Sequence, residues 1–354
     1  MIKKKIIKYS ELLKFVSAIF NKVGLDKFSN DCVTKGLCEA SLRGVDSHGI
    51  RLLDHYVSSA INGRKNPKPN FKFKKKYPAL GILDANNAFG HAAGFKAIKY
   101  CMKMSNKYGV GIVAVKNSSH PGALASIVLE AAKKNYICWG FTHADSLLLS
   151  SNGKRAYFGT NPICFAAPRK NEEPFCLDMA TSKISWNKLL SFKDNKLNLN
   201  NELAADQYGN STILTSKAKT LIPIGDYKGY GLASMIEVLC GIFTGMDFGR
   251  SIKSMYKTSI KQKRKLGQFY IVMKADGVLS TKFFLERMFN FSKQVRKEPA
   301  KKNKKVLLPN DPEILFSKLR MKNGIPLDNK VINDFKKLSE KYSIQLNLIK
   351  WTNL

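Results

Sequence analysis

Residues 109–122 read Gly-Val-Gly-Ile-Val-Ala-Val-Lys-Asn-Ser-Ser-His-Pro-Gly, and the fold prediction starts from this stretch. Val110–Val115 is a short apolar run rich in β-branched residues, which is typical of a strand buried on both faces. After a polar turn, Ala123–Lys134 has the composition of a helix that ends in two lysines, as the helix dipole favours. Tyr136–Phe141 is a second apolar run. The sequence therefore predicts a strand–helix–strand unit whose two strands are neighbours in one sheet.

Polar residues follow both strands of this unit. His120 lies in the turn after the first strand, and His143 and Asp145 follow the second. Open α/β sheets form their ligand crevices at the carboxyl ends of the strands. A single loop histidine is more often held by backbone groups alone, but the serines, the glycine and the helix start around His120 favour a functional site.

The composition is that of a soluble globular protein. The chain has 354 residues, of which 44% are hydrophobic and 24% charged, enough for two domains or one large domain. No stretch approaches the roughly 18 uninterrupted apolar residues of a membrane span. Charged residues from Lys8 to Lys14 interrupt the apolar N-terminal segment. We therefore predict an amphipathic helix at residues 10–24 rather than a signal peptide.

The seven cysteines have irregular spacing and form no Cys-x-x-Cys pair. An odd number of cysteines, several of them within apolar runs, indicates reduced thiols in a cytoplasmic protein. A disulfide framework or a zinc site would need a more regular spacing. We therefore expect a cytoplasmic location, no metal centre and no membrane partner.

The formal net charge is +34, with basic runs such as Lys72–Lys76 and Lys261–Lys265. Such a charge favours nonspecific association with nucleic acid or acidic surfaces. No helix-turn-helix, zinc finger or aromatic stacking motif accompanies the lysines, so no specific nucleic-acid partner is predicted. We expect the basic runs to be solvated loops, with weak nonspecific binding at most.

Hydrophobic periodicity predicts the remaining elements. Helices are expected at residues 28–42, 52–62, 95–108, 232–243, 281–294 and 331–342. Strands are expected at residues 71–83, 161–167, 175–179 and 267–273. Residues 190–220 are polar and are predicted to be irregular.

The segment Asp46–Arg51 concentrates polar side chains before a predicted helix, and Tyr56 follows one or two turns further on. Arg51 can grip a carboxylate with two parallel hydrogen bonds. His48 can exchange a proton near neutral pH. The alternative is a helix cap formed by the acidic or hydroxyl side chain of this segment, with the arginine in solvent.

Two other places could contact a cofactor. Asp178 ends a predicted strand, where a carboxylate could bind ribose hydroxyls or cap a helix. Lys228–Gly231 opens a helix whose free amide groups and dipole favour a phosphate. The chain contains neither a Walker loop nor a Gly-x-Gly-x-x-Gly motif after a strand, so a Rossmann cofactor site is not predicted.

Taken together, these motifs resemble the type 2 malate/L-lactate dehydrogenase family, and they look closest to its ureidoglycolate dehydrogenase branch. Matching segments occur in family order over most of the chain, at residues 44–49, 117–122, 159–162, 178–182, 228–231 and 267–269. The chain departs from the usual family pattern at Asp54, Ser151–Gly153, Asn187, Leu203, Ala204 and Asp226.

The resemblance implies an α+β, non-Rossmann malate/L-lactate dehydrogenase-like fold and a homodimer. A helical domain would comprise residues 1–70 with 290–354, and a mixed-sheet cofactor domain would comprise residues 71–289. The implied cofactor is NAD or NADP, and the implied partner is a small 2-hydroxy or 2-oxo acid.

The resemblance also implies roles for single residues. His120 falls where one branch has its acid/base histidine, and His48 falls where another branch has its proton donor. The implied substrate-binding residues are Ser47, Arg51, Tyr56 and Thr160. The implied cofactor-binding residues are Asp178, Met179, Ala180, Lys228, Gly267, Gln268 and Phe269.

We therefore predict an NAD(P)-dependent oxidoreductase that interconverts a 2-hydroxy acid and its 2-oxo acid by hydride transfer with histidine acid/base catalysis. Malate, lactate and ureidoglycolate are the substrate types considered. The first alternative is an NADPH-dependent reductase of a cyclic imine or a keto-sugar acid. The second is a non-catalytic, basic paralogue that binds nucleic acid.

Overall fold

The computed structural model describes residues 5–350. The α-helices of these residues are α1 (Tyr9–Lys22), α2 (Lys27–Leu42), α3 (Leu53–Ile61), α4 (Gly90–Tyr108), α5 (Ala125–Ala132), α6 (Trp186–Asp194), α7 (Tyr227–Glu237), α8 (Thr281–Lys297), α9 (Asp311–Asn323) and α10 (Asn329–Tyr342). A π-helical turn, Val238–Ile242, continues α7. The predicted helix at residues 10–24 corresponds to α1.

The strands are short except at the centre of the molecule. They are β1 (Lys5–Ile7), β2 (Lys72–Tyr77), β3 (Leu80–Asp84), β4 (Val110–Ser118), β5 (Tyr136–Thr142), β6 (Leu148–Leu149), β7 (Ala156–Phe158), β8 (Ile163–Ala167), β9 (Phe175–Met179), β10 (Ala204–Ala205), β11 (Ser211–Thr212), β12 (Thr220–Leu221), β13 (Leu266–Lys274), β14 (Ile325–Leu327) and β15 (Ile349–Lys350).

A seven-stranded mixed sheet forms the centre, in the order β2-β3-β4-β13-β5-β8-β9. Only the β3–β4 pair of this sheet is parallel. The prediction that the strands of the Gly109 unit are neighbours is wrong, because β13 lies between β4 and β5. Phe269 of β13 is opposite Ala114 on one side and Phe141 on the other. Since β13 is antiparallel to both strands, β4 and β5 still end at the same edge of the sheet.

The helices and the mixed sheet confirm the predicted α+β class. The largest hydrophobic core joins α1, α2, α3 and α10 to α4, α5 and the sheet. The two ends of the described chain also lie together, because β1 pairs with both β14 and β15. The division into domains of residues 1–70 with 290–354 and of 71–289 stays a prediction, and its outer limits lie beyond the described residues.

A second hydrophobic cluster lies apart from the main core and includes Leu148, Leu189, Leu221 and Ala233. It supports α6 and the short strands β10 and β12, where the sequence predicted irregular structure. Only Leu189 of α6 is buried, so this helix shows little of the apolar periodicity on which the prediction depended. Ser185 caps the helix by accepting a hydrogen bond from the Lys188 N–H.

Helix α4 begins at Gly90, five residues before its predicted start, and its first turn touches the loop that carries His120. A Cβ atom built on Gly90 would lie 2.2 Å from the carbonyl oxygen of Ser119 and 2.5 Å from the carbonyl carbon of His120. A glycine is therefore required where the helix start packs against this loop.

Among the described residues, no helix combines the length and the apolarity that crossing a bilayer requires.

Candidate active site

A cavity of about 1080 Å³ opens at the edge of the sheet where β4 and β5 end. Its wall contains the loops after β4 and β5, the end of β9, helix α6 and the segments near residues 254–264 and 307–313. The lining residues that bear on its chemistry are Ser47, His48, His120, Thr160, Asp178 and Arg264. These residues come from five separate parts of the chain, and the fold brings them to one surface.

Tyr56 holds the imidazole of His120. The Tyr56 hydroxyl lies 2.9 Å from Nδ1 of His120 and donates to the His120 carbonyl oxygen at 3.1 Å. Tyr56 belongs to α3 and is fully buried, so the ring of His120 is fixed from the protein side. Because Nδ1 is engaged by the phenol, Nε2 is the ring nitrogen left for a ligand.

His48 lies beside His120 in the cavity wall. The two rings are stacked, with centroids 5.6 Å apart and planes inclined by 26°. Ser47 Oγ lies 2.9 Å from Nδ1 of His48, which orients that ring in turn. The structure therefore places both candidate acid/base residues together, where either can reach a ligand in the cavity.

Both imidazoles are held in the neutral form. Burial lowers the pKa of His48 to about 4. Burial also holds the pKa of His120 well below its usual value, with smaller contributions from His48, Arg264 and Lys65. Both rings are therefore in the proton-accepting form at neutral pH.

The structure does not bring Arg51 into the cavity. Its guanidinium donates to Asp194 at 2.5 Å and to Asp328 at 2.8 Å, on the outer side of α6. Residues 46–48 and 50–52 form two separate 3-10 turns, because Gly49 interrupts them with φ −96° and ψ −143°. Arg51 therefore does not line the cavity as Ser47 and His48 do, and its implied role in substrate binding stays a prediction.

Arg264 is a guanidinium in the cavity wall that the sequence analysis missed. It is 5% exposed, donates Nε–H to the Lys253 carbonyl at 2.8 Å and forms an ion pair with Asp145. The residue lies in the basic run Lys261–Lys265, which was expected to be solvated. One sequence feature that distinguishes Arg264 from the rest of this run is that it lies two residues before the apolar strand β13.

Asp178 lines the cavity and also begins a helix. Its Oδ2 accepts the Ala125 N–H at 2.8 Å, at the first turn of α5. Burial raises the pKa of Asp178 to about 6, although hydrogen bonds from the Ala125 and Leu124 amides act in the opposite direction. One oxygen of the Asp178 carboxylate therefore accepts a hydrogen bond from the first turn of α5. Met179 and Ala180 line the cavity next to Asp178.

The other four residues of the predicted cofactor set do not line the cavity of the subunit. Lys228 is exposed at the start of α7. Gly267–Phe269 lie inside β13, where Gln268 donates to the Gly90 carbonyl at 3.1 Å and to Ser118 Oγ at 2.8 Å. A Cβ atom on Gly267 would lie 1.7 Å from the Cys240 carbonyl oxygen. Gln268 and Gly267 therefore support the walls of the site from behind.

Helix α6 covers one side of the cavity and is tied down at both ends. Asn187 donates to the Ser47 carbonyl at 2.9 Å and accepts from the Tyr256 hydroxyl at 2.9 Å. At the other end, Asp194 accepts from Arg51. These contacts close the cavity over His48, and they account for the position of Arg51.

The cavity is large enough for a ligand of at least drug size. Pockets for drug-sized ligands occupy roughly 300–1,000 Å³, and this one has about 1080 Å³. The Asp178 carboxylate supplies an acceptor for sugar hydroxyls at its wall. In the described part of the chain, no group of three or more histidine, cysteine or acidic side chains could hold a metal ion.

Comparisons with known proteins agree on one family. Residues 7–336 match the family model described as malate/L-lactate dehydrogenase. The chain is 29% identical over 348 residues to a malate dehydrogenase of Pyrococcus abyssi, which covers 95% of this chain and 94% of that protein. It is 32% identical over 267 residues to the NAD(+) ureidoglycolate dehydrogenase of Escherichia coli K12, which covers 75% of this chain and 76% of that protein.

Solved structures give the same result. The structure of malate dehydrogenase from Entamoeba histolytica superposes with a TM-score of 0.92 at 25% identity, covering 97% of this chain and 99% of that chain.

Proposed function

Because the chain belongs to the malate/L-lactate dehydrogenase family, we propose that it interconverts a small 2-hydroxy acid and its 2-oxo acid with NAD or NADP. The observation that carries the proposal is the neutral imidazole of His120, fixed by Tyr56 at the wall of a large cavity. A guanidinium, that of Arg264, lines the same cavity. A base and a carboxylate partner are the two groups that oxidation of a hydroxy acid requires from the protein.

In the proposed reaction, Nε2 of His120 accepts the proton of the substrate hydroxyl. Arg264 binds the substrate carboxylate, with Ser47 and Thr160 nearby as hydroxyl partners. A bound nicotinamide cofactor supplies the hydride acceptor in this direction and the hydride donor in the other. For reduction, protonated His120 returns the proton to the substrate oxygen. His48 is the second candidate for this proton transfer, since it stacks on His120.

For the cofactor we propose the wall formed by Asp178, Met179 and Ala180, which lies in the same cavity as His120. Lys228 and Gly267–Phe269 enter the proposal from the family resemblance, with Lys228 as a phosphate contact. Since Lys228 is exposed on the subunit, its contribution requires a surface that the single chain does not form.

We further propose a homodimer that covers the outer face of α7 and the π turn. Leu232, Met235, Val238 and Ile242 lie three or four residues apart on this segment, and each is between 37% and 57% exposed. A contiguous apolar stripe of this kind is typical of an interaction surface. Lys228 lies at the start of the same helix, so a second subunit here would enclose it.

We also propose a cytoplasmic location. The seven cysteines are all buried free thiols, as expected of a protein in a reducing compartment.

The function is tested by assaying 2-hydroxy acids with NAD⁺ and NADP⁺, and 2-oxo acids and cyclic imines with both reduced cofactors. His120→Ala should lower kcat by roughly 10²- to 10⁴-fold, because acid/base catalysis contributes this much. The affinity for NADH, measured by fluorescence titration, should change little. His48→Ala is the comparison variant and should lose less activity.

Unchanged turnover in His120→Ala would remove the proposed role of His120. Activity on cyclic imines alone would favour the imine reductase alternative. The absence of any redox activity, combined with retarded nucleic acid at physiological salt, would favour the binding paralogue.

A further inference from the structure

A buried amide and a buried carboxylate lie behind the loop that follows β5. Asn161 precedes β8 and is 0% exposed, and Glu237 is the last residue of α7 and is 2% exposed. Neither side chain belongs to the lining of the large cavity. Since polar groups are buried in proteins only where their hydrogen bonds are satisfied, this pair calls for an explanation.

The side-chain amide of Asn161 uses both of its donors and its acceptor. Its oxygen accepts the Ala144 N–H at 3.1 Å, and its Nδ2 donates to the Ala233 carbonyl at 2.9 Å and to Glu237 Oε2 at 2.7 Å. One donor on one side and two acceptors on the other allow a single orientation of the amide. Asn161 also has φ +23°, a conformation that non-glycine residues rarely adopt, so these contacts hold a strained backbone.

Glu237 depends on the same contacts. Its second oxygen, Oε1, accepts the Gly249 N–H at 2.6 Å. Burial raises the pKa of Glu237, and the hydrogen bonds from Gly249 and Asn161 act in the opposite direction. Without these donors the buried carboxylate would be costly, so Asn161 and Glu237 stabilise each other.

His143 joins the same loop to this pair. Its Nε2 accepts the Gly267 N–H at 2.8 Å, so Nδ1 carries the proton of the neutral ring. Burial lowers the pKa of His143 to about 3, which keeps the ring neutral. Nδ1 lies 4.0 Å from Glu237 Oε2, so its N–H dipole is directed at the carboxylate. Two consecutive residues of the loop, His143 and Ala144, are therefore held by the Asn161–Glu237 pair.

The next residue of the loop is Asp145, which holds Arg264. Asp145 forms an ion pair with the Arg264 guanidinium and accepts the Met255 N–H at 3.3 Å. Arg264 is 5% exposed and lines the large cavity. A displacement of the Ala144 amide would therefore move the carboxylate that orients this guanidinium.

We propose that Asn161 and Glu237 are positioning residues for Arg264. They fix the loop of His143, Ala144 and Asp145, and through Asp145 they aim the guanidinium into the cavity. The proposal rests on the proposed function, in which Arg264 binds the substrate carboxylate. The pair therefore controls the affinity for the acid, whereas proton transfer at His120 depends on other contacts.

Asn161→Asp tests the proposal with a change of one atom. The new carboxylate can still accept the Ala144 N–H, but it replaces the donor to Glu237 by an oxygen, and two adjacent carboxylates repel each other. KM for the 2-hydroxy acid should rise roughly 10- to 100-fold, because small misplacements of a binding group have effects of this size. The value of kcat should change less than about threefold, since Arg264 binds the carboxylate in the ground state and the transition state alike. The affinity for NADH should stay the same.

A double variant separates positioning from a general loss of stability. Glu237→Gln combined with Asn161→Asp exchanges the acid and the amide, so a hydrogen bond between the two positions can form again. The double variant should recover part of the affinity for the acid that Asn161→Asp loses, whereas independent effects would add.

Asn30→Asp is the matched control. Asn30 is a buried amide of α2, 2% exposed, which donates to the Ser17 carbonyl at 3.0 Å and to Asn21 Oδ1 at 2.6 Å. This variant should lower Tm without changing KM. An equal rise of KM in Asn30→Asp, or an unchanged KM in Asn161→Asp, would overturn the proposal. If Asn161→Asp does not fold, Glu237→Gln alone gives the same test, because its amide places a donor opposite Nδ2 of Asn161.

Crystal structures of the wild type and Asn161→Asp distinguish this proposal from the proposed function. The loop of residues 143–145 and the Arg264 guanidinium should be displaced in the variant, even if neither protein oxidises any hydroxy acid. An Arg264 side chain in the same place in both structures would overturn the positioning role and leave the proposed function intact.

Discussion

His120 is held by parts of the chain that are far apart in sequence. Tyr56 of α3 binds its ring, and Gly90 of α4 packs against its backbone. Gln268 of β13 ties the start of α4 to the loop by donating to the Gly90 carbonyl and to Ser118 Oγ. A catalytic imidazole gains from such positioning, because its rotation would otherwise have to be restricted in every turnover.

The lowered pKa of His120 predicts the pH dependence of the proposed reaction. Oxidation requires the neutral imidazole, and burial with nearby cations keeps His120 neutral as the pH falls past the usual value of about 6.5. The acid limb of kcat/KM for the hydroxy acid should therefore lie below pH 6.5. Reduction requires the protonated form, so its rate should decline as the pH rises. Initial rates in both directions across the pH range give the measurement, and an oxidation limb at or above pH 6.5 would contradict the assignment.

The sequence identified several residues of the cavity wall and missed one cation. His48, His120 and Asp178 lie in polar segments next to predicted strand ends or helix starts. This position allowed the sequence to identify them as candidate site residues. Arg264 was not recognised because it lies in a run of lysines. Local composition does not show which side chain of a basic run is buried. Arg51 shows the converse: its spacing from His48 was clear, but its pairing with Asp194 and Asp328, which are more than 100 residues away, was not.

At the level of elements, α6 forms one wall of the cavity and is fixed mainly by polar contacts. Asn187 joins its first turn to Ser47 and Tyr256, and Asp194 joins its last turn to Arg51. A helix with a single buried residue, Leu189, opens more easily than one packed in the main core. We infer that substrate affinity depends on how firmly α6 is attached.

Asp194→Asn should therefore raise KM for the acid by about two- to tenfold with little change in kcat. Stability should fall by no more than about 1 kcal/mol, because the Asp194 side chain is 54% exposed. Trypsin should also cut α6 faster, at Lys188 or Lys193. Asp334→Asn, which breaks an exposed ion pair with Lys330 elsewhere, is the control. Equal KM values and equal proteolysis rates in the two variants would show that the Arg51 contact does not hold α6 in place.

The elements that the sequence predicted well are those with a clear apolar period, such as α1, α10 and the long strands β4 and β13. Helix α9 was not predicted, because only Asp311 and Arg320 of its residues are buried. The position of β13 between β4 and β5 could not be read locally either. Strand order depends on pairing between segments more than 100 residues apart, and hydrophobic period carries no information about it.

On the scale of the molecule, two of the basic runs have a structural explanation. Lys72–Lys76 is part of β2, the edge strand of the central sheet, with every lysine exposed. This agrees with the strands predicted at residues 71–83; the lysines are exposed as expected, but the run is a strand rather than a loop. Lysines on an edge strand oppose edge-to-edge pairing with another chain. In the run Lys261–Lys265, Arg264 belongs to the cavity wall.

The proposed dimer can be tested at the same scale. Val238 is 49% exposed in the centre of the apolar stripe of α7 and the π turn. Val238→Glu should convert the dimer to a monomer, because a buried, unpaired carboxylate is costly in an interface. Light scattering after gel filtration measures the mass. Lys76→Glu, on the exposed edge strand, should leave the mass unchanged. A wild-type monomer, or a dimer that survives Val238→Glu, would exclude this interface.

The most direct test of the central claim is a structure of the protein with NADH and oxamate, a non-reactive analogue of a 2-oxo acid. The proposed function predicts the oxamate carboxylate on the guanidinium of Arg264 and its amide oxygen within hydrogen-bond distance of Nε2 of His120. The nicotinamide should lie in the same cavity, beside Asp178–Ala180. Oxamate bound at Arg51, or a dinucleotide bound outside the cavity lined by His120, would contradict the account.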